Sequence, residues 1–182
     1  RVYGQNGNDT VFGDAGDDRI YGDDGDDILD GGDGTDLVYG GDGNDILRGG
    51  TGTGDVLYGN AGNDTYLFGL GDGNTTISNT DSDTDRSDVL QFLDGITADD
   101  VRVTRSSTSL ILAVQSTGEV ITVPSFFTSA TYELNEITFA DGTSWDAETI
   151  KTLALGATDE ADTITGYDTD DTLDALSGND YL

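Results

Sequence analysis

Seven aspartates carry the chemistry open to this sequence: Asp9, Asp18, Asp27, Asp36, Asp45, Asp55 and Asp64 recur every nine residues, with a single interval of ten. Rows of carboxylates need cations. Calcium suits them because it is a hard ion that takes six to eight oxygens, here carboxylates and the carbonyls of glycine-rich turns. Little competes with that reading. The chain has no His, Cys or Met, which removes imidazole and thiolate zinc sites, Ser-His-Asp and Cys-His nucleophile systems, haem ligation and disulfides. With 37 acidic residues against 7 basic ones and a formal net charge of −30, nucleic acid and anionic membranes are excluded as partners. The apolar runs, such as Leu110 to Val114, are a few residues long, so no membrane span and no signal-peptide core is visible. The missing Met also implies a piece of a longer protein.

The elements that position the aspartates follow from the glycines, 21 of whose 27 lie between Gly4 and Gly73. From Gly4 the chain falls into the units GQNGNDTVF, GDAGDDRIY, GDDGDDILD, GGDGTDLVY and GGDGNDILR, a ten-residue GGTGTGDVLY, and GNAGNDTYL. Each opens on Gly, has Gly again at its fourth position, and apart from the longer unit has its acid at the sixth and an apolar residue at the eighth. Closely spaced glycines permit the positive φ of a tight turn, and the last three residues form a short strand with its middle side chain inward. Two units make a coil of eighteen residues. Val11, Leu29, Leu47 and Tyr66 then stack on one inner wall and Ile20, Val38 and Leu57 on the other, in a thin right-handed parallel β-roll. Coils one strand spacing apart, roughly 4.8 Å, align Asp9, Asp27, Asp45 and Asp64 along one edge and Asp18, Asp36 and Asp55 along the other.

These units resemble the repeats-in-toxin (RTX) nonapeptide G-G-x-G-x-D-x-U-x, a calcium-binding repeat. The resemblance implies calcium ions held between successive turns, at the pairs Asp9/Asp27, Asp27/Asp45, Asp45/Asp64, Asp18/Asp36 and Asp36/Asp55. That makes about five ions. From Arg1 to Ser78 there are 16 acids and 3 bases, a net of −13, which five calcium ions nearly offset. Acids at other loop positions, Asp14, Asp17, Asp24, Asp33 and Asp42, read as solvated or turn-stabilising. The longer unit Gly49 to Tyr58 is expected to bulge its turn and weaken its ion.

After Phe68, GLGDGNTTI reads as a closing turn in which Thr75 stands where an acid is usual and Asp72 is the possible substitute ligand. The segment 79–87, with Asp81-x-Asp83-x-Asp85, lacks the Gly and Glu of an EF-hand loop and reads as a solvated acidic linker, with an accessory calcium site as the alternative. Residues 88–155 give ordinary strand signals (DVLQF, VRVT, SLILAV, EVITV, NEITF), with a Thr117-Gly118 hairpin turn. This segment resembles the haemolysin-type calcium-binding-related region that follows RTX blocks, which implies an antiparallel β cap. In FADGTSWD, Asp141-Gly142 makes a turn and Trp145 packs under a short helix from Asp146 to Leu153. The units ATDEADTIT, GYDTDDTLD and ALSGNDYL at 156–182 read as the start of a second, degenerate RTX block. The expected architecture is all-β: a parallel roll over 1–78, the linker, and a small antiparallel flank with one helix.

On the outer surface Tyr21, Tyr39 and Tyr58 form an aromatic ladder joined by Leu37 and Val56. It is either cross-strand packing or a platform for sugars. On the other face Asp30 and Arg48 fall one coil apart and can pair. The functional expectation is a non-enzymatic module that binds calcium and folds on doing so. The resemblance implies a bacterial, secreted or cell-surface setting, type I secretion machinery as a partner during export, and neighbouring RTX blocks of the same chain as further partners. The alternative is an adhesive, glycan-binding module using the Tyr ladder. An enzyme working through paired carboxylates is not expected, because the repeated acids already have a metal role.

Overall fold

The computed structural model describes residues 1–81 and 85–156. Each repeat gives one turn and one strand, and successive strands alternate between two sheets. They are β1 (Val2–Asn6), β2 (Thr10–Phe12), β3 (Arg19–Asp24), β4 (Ile28–Gly34), β5 (Leu37–Asp42), β6 (Ile46–Gly52), β7 (Asp55–Ala61), β8 (Thr65–Phe68), β9 (Thr75–Ile77) and β10 (Val89–Phe92). Odd strands pair in parallel with odd and even with even, one coil apart. The register runs Val11–Leu29–Leu47–Tyr66–Leu90 on one wall and Ile20–Val38–Leu57–Ile77 on the other. This is the expected β-solenoid, of about four turns. Most of the core therefore comes from one inward side chain per strand. The roll thus buries little apolar surface per ordered residue.

The turns are built from two residues that tolerate positive φ. The second position of a unit is left-handed whether it is glycine or not, as in Asp14 (φ 67°), Asp23 (φ 72°) and Asn60 (φ 71°); Asp and Asn bear that conformation better than most residues. At the fourth position, Gly25 (φ 138°) also lies against the Gly7 carbonyl one coil away, where a Cβ would collide. An outer ladder ties the turns at the fifth position: the Asp26, Asn44, Asn63 and Ser87 amides donate to the side chains of Asn8, Asp26, Asn44 and Asn63. Asp17 does the same for the Thr35 amide, as a turn-stabilising acid should.

The flank continues the roll. DVLQF, expected in an antiparallel segment, is β10 and pairs in parallel with β8. β11 (Val101–Ser106), β12 (Ser109–Val114) and β13 (Val120–Val123) form the expected antiparallel meander, but β13 joins β9 in parallel. β14 (Glu136–Thr138) joins β10 in parallel and β15 (Ser144–Asp146) closes that sheet antiparallel. The helix α1 spans Ala147–Ala154, with Asp146 as its cap accepting from the Thr149 amide, and buries Ile150 and Ala154. Here the core thickens: Phe68, Phe92, Phe139 and Trp145 are in ring contact.

Two local expectations are corrected. The segment 79–87 is not a solvated linker over its described residues, since Asn79, Asp81 and Arg86 are buried and Asp81 accepts from the Gly62 amide. Arg48, in register with Asp30, turns instead to Asp72 with two hydrogen bonds of 3.0 and 2.6 Å. The longer unit takes up its extra residue in the turn, at Thr53-Gly54, and Leu37 still pairs with Val56, so Asp55 keeps its place at the strand entrance. The second block expected at 156–182 lies, from residue 157 on, outside the described residues.

Candidate metal centre

The sixth-position aspartates line the inner edges of the turns, just ahead of each strand. Asp27, Asp36, Asp45, Asp55 and Asp64 are all at most 1% exposed; Asp9 and Asp18, in the first coil, are half-buried. Every implied pair is in contact through one pattern. The backbone amide of one aspartate donates to Oδ1 of the aspartate one coil on: Asp9 to Asp27 (2.8 Å), Asp18 to Asp36 (2.7 Å), Asp27 to Asp45 (2.8 Å), Asp36 to Asp55 (2.8 Å) and Asp45 to Asp64 (3.0 Å).

From the second coil on, that bond uses Oδ1 of each carboxylate. The other, Oδ2, is buried without a hydrogen-bond partner in Asp9, Asp27, Asp36, Asp45, Asp55 and Asp64. A buried charge left unpaired is costly, and six in two rows need cations. The first-position glycines shape the space. A Cβ at Gly4 would stand 2.7 Å from the Gly22 carbonyl oxygen and 2.9 Å from Asp9 Oδ2, and one at Gly31 would stand 2.5 Å from Asp36 Oδ2 beside the Gly49 carbonyl. Carboxylate and carbonyl oxygens thus converge on the position a side chain would fill. Among the described residues no three acidic groups gather at one point, so a cation here draws most of its donors from backbone carbonyls. All-oxygen donor sets of this kind fit calcium rather than zinc or copper. The chain's Asp9, Asp18, Asp27, Asp36, Asp45, Asp55 and Asp64 would hold it.

Residues 3–38, 29–54, 39–74 and 157–182 match the RTX calcium-binding nonapeptide repeat family, together more than half of the chain. The chain belongs to the RTX calcium-binding repeat family. Residues 110–149 match the haemolysin-type calcium binding protein related domain. The chain is also similar to the iron-regulated protein FrpA of Neisseria meningitidis serogroup C, 40% identical over 99 residues, which cover 53% of this chain and 9% of that protein. The chain therefore spans under a tenth of that relative. No helix among the described residues is long and apolar enough to cross a membrane.

Without metal, the RTX rows are electrostatically frustrated. Burial pushes Asp27 and Asp36 up, Asp45 and Asp55 up to about 6 and Asp64 up to about 7, with neighbouring acids adding to the rise. Arg86 is the cation that pulls Asp64 partly back. In the closing turn, Asp72 is no substitute ligand: Arg48 and the Gly69 amide hold both of its oxygens. Thr75 follows Asp55 in its row, buried and with its hydroxyl unpartnered, and beyond it the row turns apolar with Ile121, Leu112 and Val103.

The other row runs further than the nonapeptide period indicates. The Asp64 amide donates to Asp88 Oδ1 at 2.9 Å, and the Asp88 amide to Asn135 Oδ1 at 2.8 Å. Asp88 is thus the fifth aspartate of that edge. The signal was local: Ser87-Asp88-Val89-Leu90 has the form of Asn63-Asp64-Thr65-Tyr66, displaced to an interval of 24 by an excursion of the chain. The Tyr ladder is real and longer than expected. Tyr3, Tyr21, Tyr39 and Tyr58 stack at 4.9, 4.9 and 4.6 Å with nearly parallel rings.

Proposed function

We propose that this RTX chain is a non-enzymatic module that folds when it meets calcium outside the cell, and that this folding assists type I export and maturation of the larger protein carrying it. The observation that carries the reading is the set of six buried, unpartnered Oδ2 oxygens on a core too thin to stand alone. Ligands that bind only the folded state stabilise it by mass action, about 2.7 kcal/mol for each site at a concentration 100 times its Kd. Shared aspartates make the sites interdependent, since Asp27, Asp36 and Asp45 each serve two pairs. In the low calcium of a cytosol the rows repel and the chain stays threadable; outside, ions close the coils in succession. Activity of the parent resides in the remainder of its length.

The test is a calcium titration of the chelator-treated chain, followed by far-UV circular dichroism with magnesium as control. A cooperative gain of β signal specific to calcium is the expected result. A β signal already complete in chelator overturns the folding switch. A second reading rests on the Tyr ladder, whose flat, regularly spaced rings suit stacking on sugar faces. It predicts that replacing Tyr39 and Tyr58 abolishes binding to a glycan array while leaving calcium-dependent folding unchanged.

A further inference from the structure

The Asp64/Asp88 pair repeats the backbone-to-carboxylate geometry of the five pairs below it. The amide-to-Oδ1 bond is present at 2.9 Å, both residues are at most 1% exposed, and Asp64 Oδ2 is buried without a hydrogen-bond partner. What differs is Arg86. Its guanidinium, 3% exposed, is ion-paired through Nη1 with Asp88 Oδ2, and its Nη2 donates to the carbonyls of Ala130 (3.0 Å) and Thr131 (2.7 Å).

A carboxylate oxygen and two backbone carbonyl oxygens around a buried positive charge make the kind of donor set calcium takes. The coil above also lacks its usual glycine carbonyl: beside Gly59, the Tyr66 hydroxyl occupies the place that the next coil's carbonyl takes beside Gly4, Gly22 and Gly40. We infer that Arg86 is a tethered cation standing in for calcium at the Asp64/Asp88 position, so that this end of the row is neutralised by the chain itself. The inference rests on the calcium reading of the lower pairs. Its consequence is a fixed end to the row: the Asp88 carboxylate has a permanent counter-charge before any ion arrives, and ion binding is confined to the coils below.

The test counts bound calcium on the full 182-residue chain by native mass spectrometry and equilibrium dialysis. Arg86→Gln is expected to bind one ion more than the parent, because it frees the Asp88 carboxylate oxygen and the Ala130 and Thr131 carbonyls that Arg86 holds. An unchanged count in a folded Arg86→Gln chain overturns the inference. Should Arg86→Gln fail to fold at any calcium concentration, Asp88→Asn decides. The Asn amide oxygen can still accept from the Asp64 amide, as Asn135 does from Asp88, and Arg86 keeps its bonds to the Ala130 and Thr131 carbonyls; the count is read at calcium concentrations where circular dichroism shows Asp88→Asn folded. Asp88→Asn is expected to leave the count at the parental value; loss of an ion would mean that the position is a calcium site and overturn the proposal. Asp45→Asn serves as control for the underlying reading. If it binds as many ions as the parent, the calcium assignment of the lower pairs has failed, which is a different result from either of the others.

Discussion

The roll and the flank share their two sheets but not their means of staying folded. From β1 to β9 the inner rows at the strand entrances are Asp18, Asp36 and Asp55; past Thr75 the same row carries Ile121, Leu112 and Val103. Carboxylates one strand spacing apart repel, whereas aliphatic side chains there add to the core. The roll is thus a structure whose apolar wall is one side chain deep and whose edges demand cations. The flank buries Phe92, Phe126, Leu134, Ile137 and Ile150 completely and neutralises Asp88 with Arg86. One backbone plan runs from rows of carboxylates to rows of aliphatic side chains by changing what fills a position.

The largest effect that would break this contrast is removal of calcium. Chelation is expected to abolish amide-exchange protection across β2 to β7 while β11 to β13 keep theirs, read by hydrogen exchange with residue resolution. Uniform loss across both regions would mean that the flank depends on the roll, and uniform retention that neither needs the ion.

Much of this was legible because the period is short and strict: the spacing of Gly4, Asp9 and Val11 and their repeats dictates turn, edge and wall, and the stacking of Val11, Leu29, Leu47 and Tyr66 follows. What was not legible is non-local. Asp88 has the form of a sixth-position acid, but the excursion of 69–87 breaks the count. Arg86 reads as one charge in an acidic segment, because its partners Ala130 and Thr131 lie over forty residues away and offer only backbone oxygens. Asp30 and Arg48 are in register as expected, yet Arg48 prefers the buried Asp72, where a second hydrogen bond and lower exposure strengthen the pair.

Core truncation sharpens the contrast next. Leu112→Ala removes a fully buried side chain from the flank and is expected to cost about 2–5 kcal/mol, with and without calcium. Leu47→Ala, equally buried in the roll, should cost a similar amount in saturating calcium and nothing in chelator, where the roll is not formed. Denaturant melts of both variants under both conditions check this. A Leu47→Ala defect that persists in chelator would show a roll that is folded without ions.

Acidity acts on the two regions with opposite sign. In the roll, Asp45 and Asp55 rise to about 6 and Asp64 to about 7 from an ordinary value of 3.8. The calcium-free fold therefore binds more protons than the unfolded chain between about pH 4 and 7, and its stability falls as pH rises through that window. Chelated protein should gain β signal as pH is lowered from 7.5 to 5, while the calcium midpoint moves to higher concentration because protons compete for the same oxygens. In the flank, Asp141 and Asp146 are held below 3.8 by hydrogen bonds with Thr143 and Thr149, so their contribution is present at neutral pH and fades only below the ordinary carboxylate range. A chelated roll that does not respond to acid would mean that its buried carboxylates are neutralised by something other than calcium.

The smallest effect belongs to the Tyr ladder, and its size distinguishes packing from recognition. Tyr39 lies between Tyr21 and Tyr58, at 4.9 and 4.6 Å, on the outer face and half-buried by its neighbours. Stacked aromatic pairs contribute about 0.5–1.5 kcal/mol beyond the area they bury. Tyr39→Ala is expected to lower the stability of the calcium-loaded roll by an amount of that order, and to leave the chelator-resistant flank untouched, as read by thermal melting in saturating calcium. A loss as large as that of Leu47→Ala would make the ladder a second wall of the roll. No loss at all would mean that four stacked tyrosines do nothing for the fold that displays them, which leaves ligand binding as their reason for being in register.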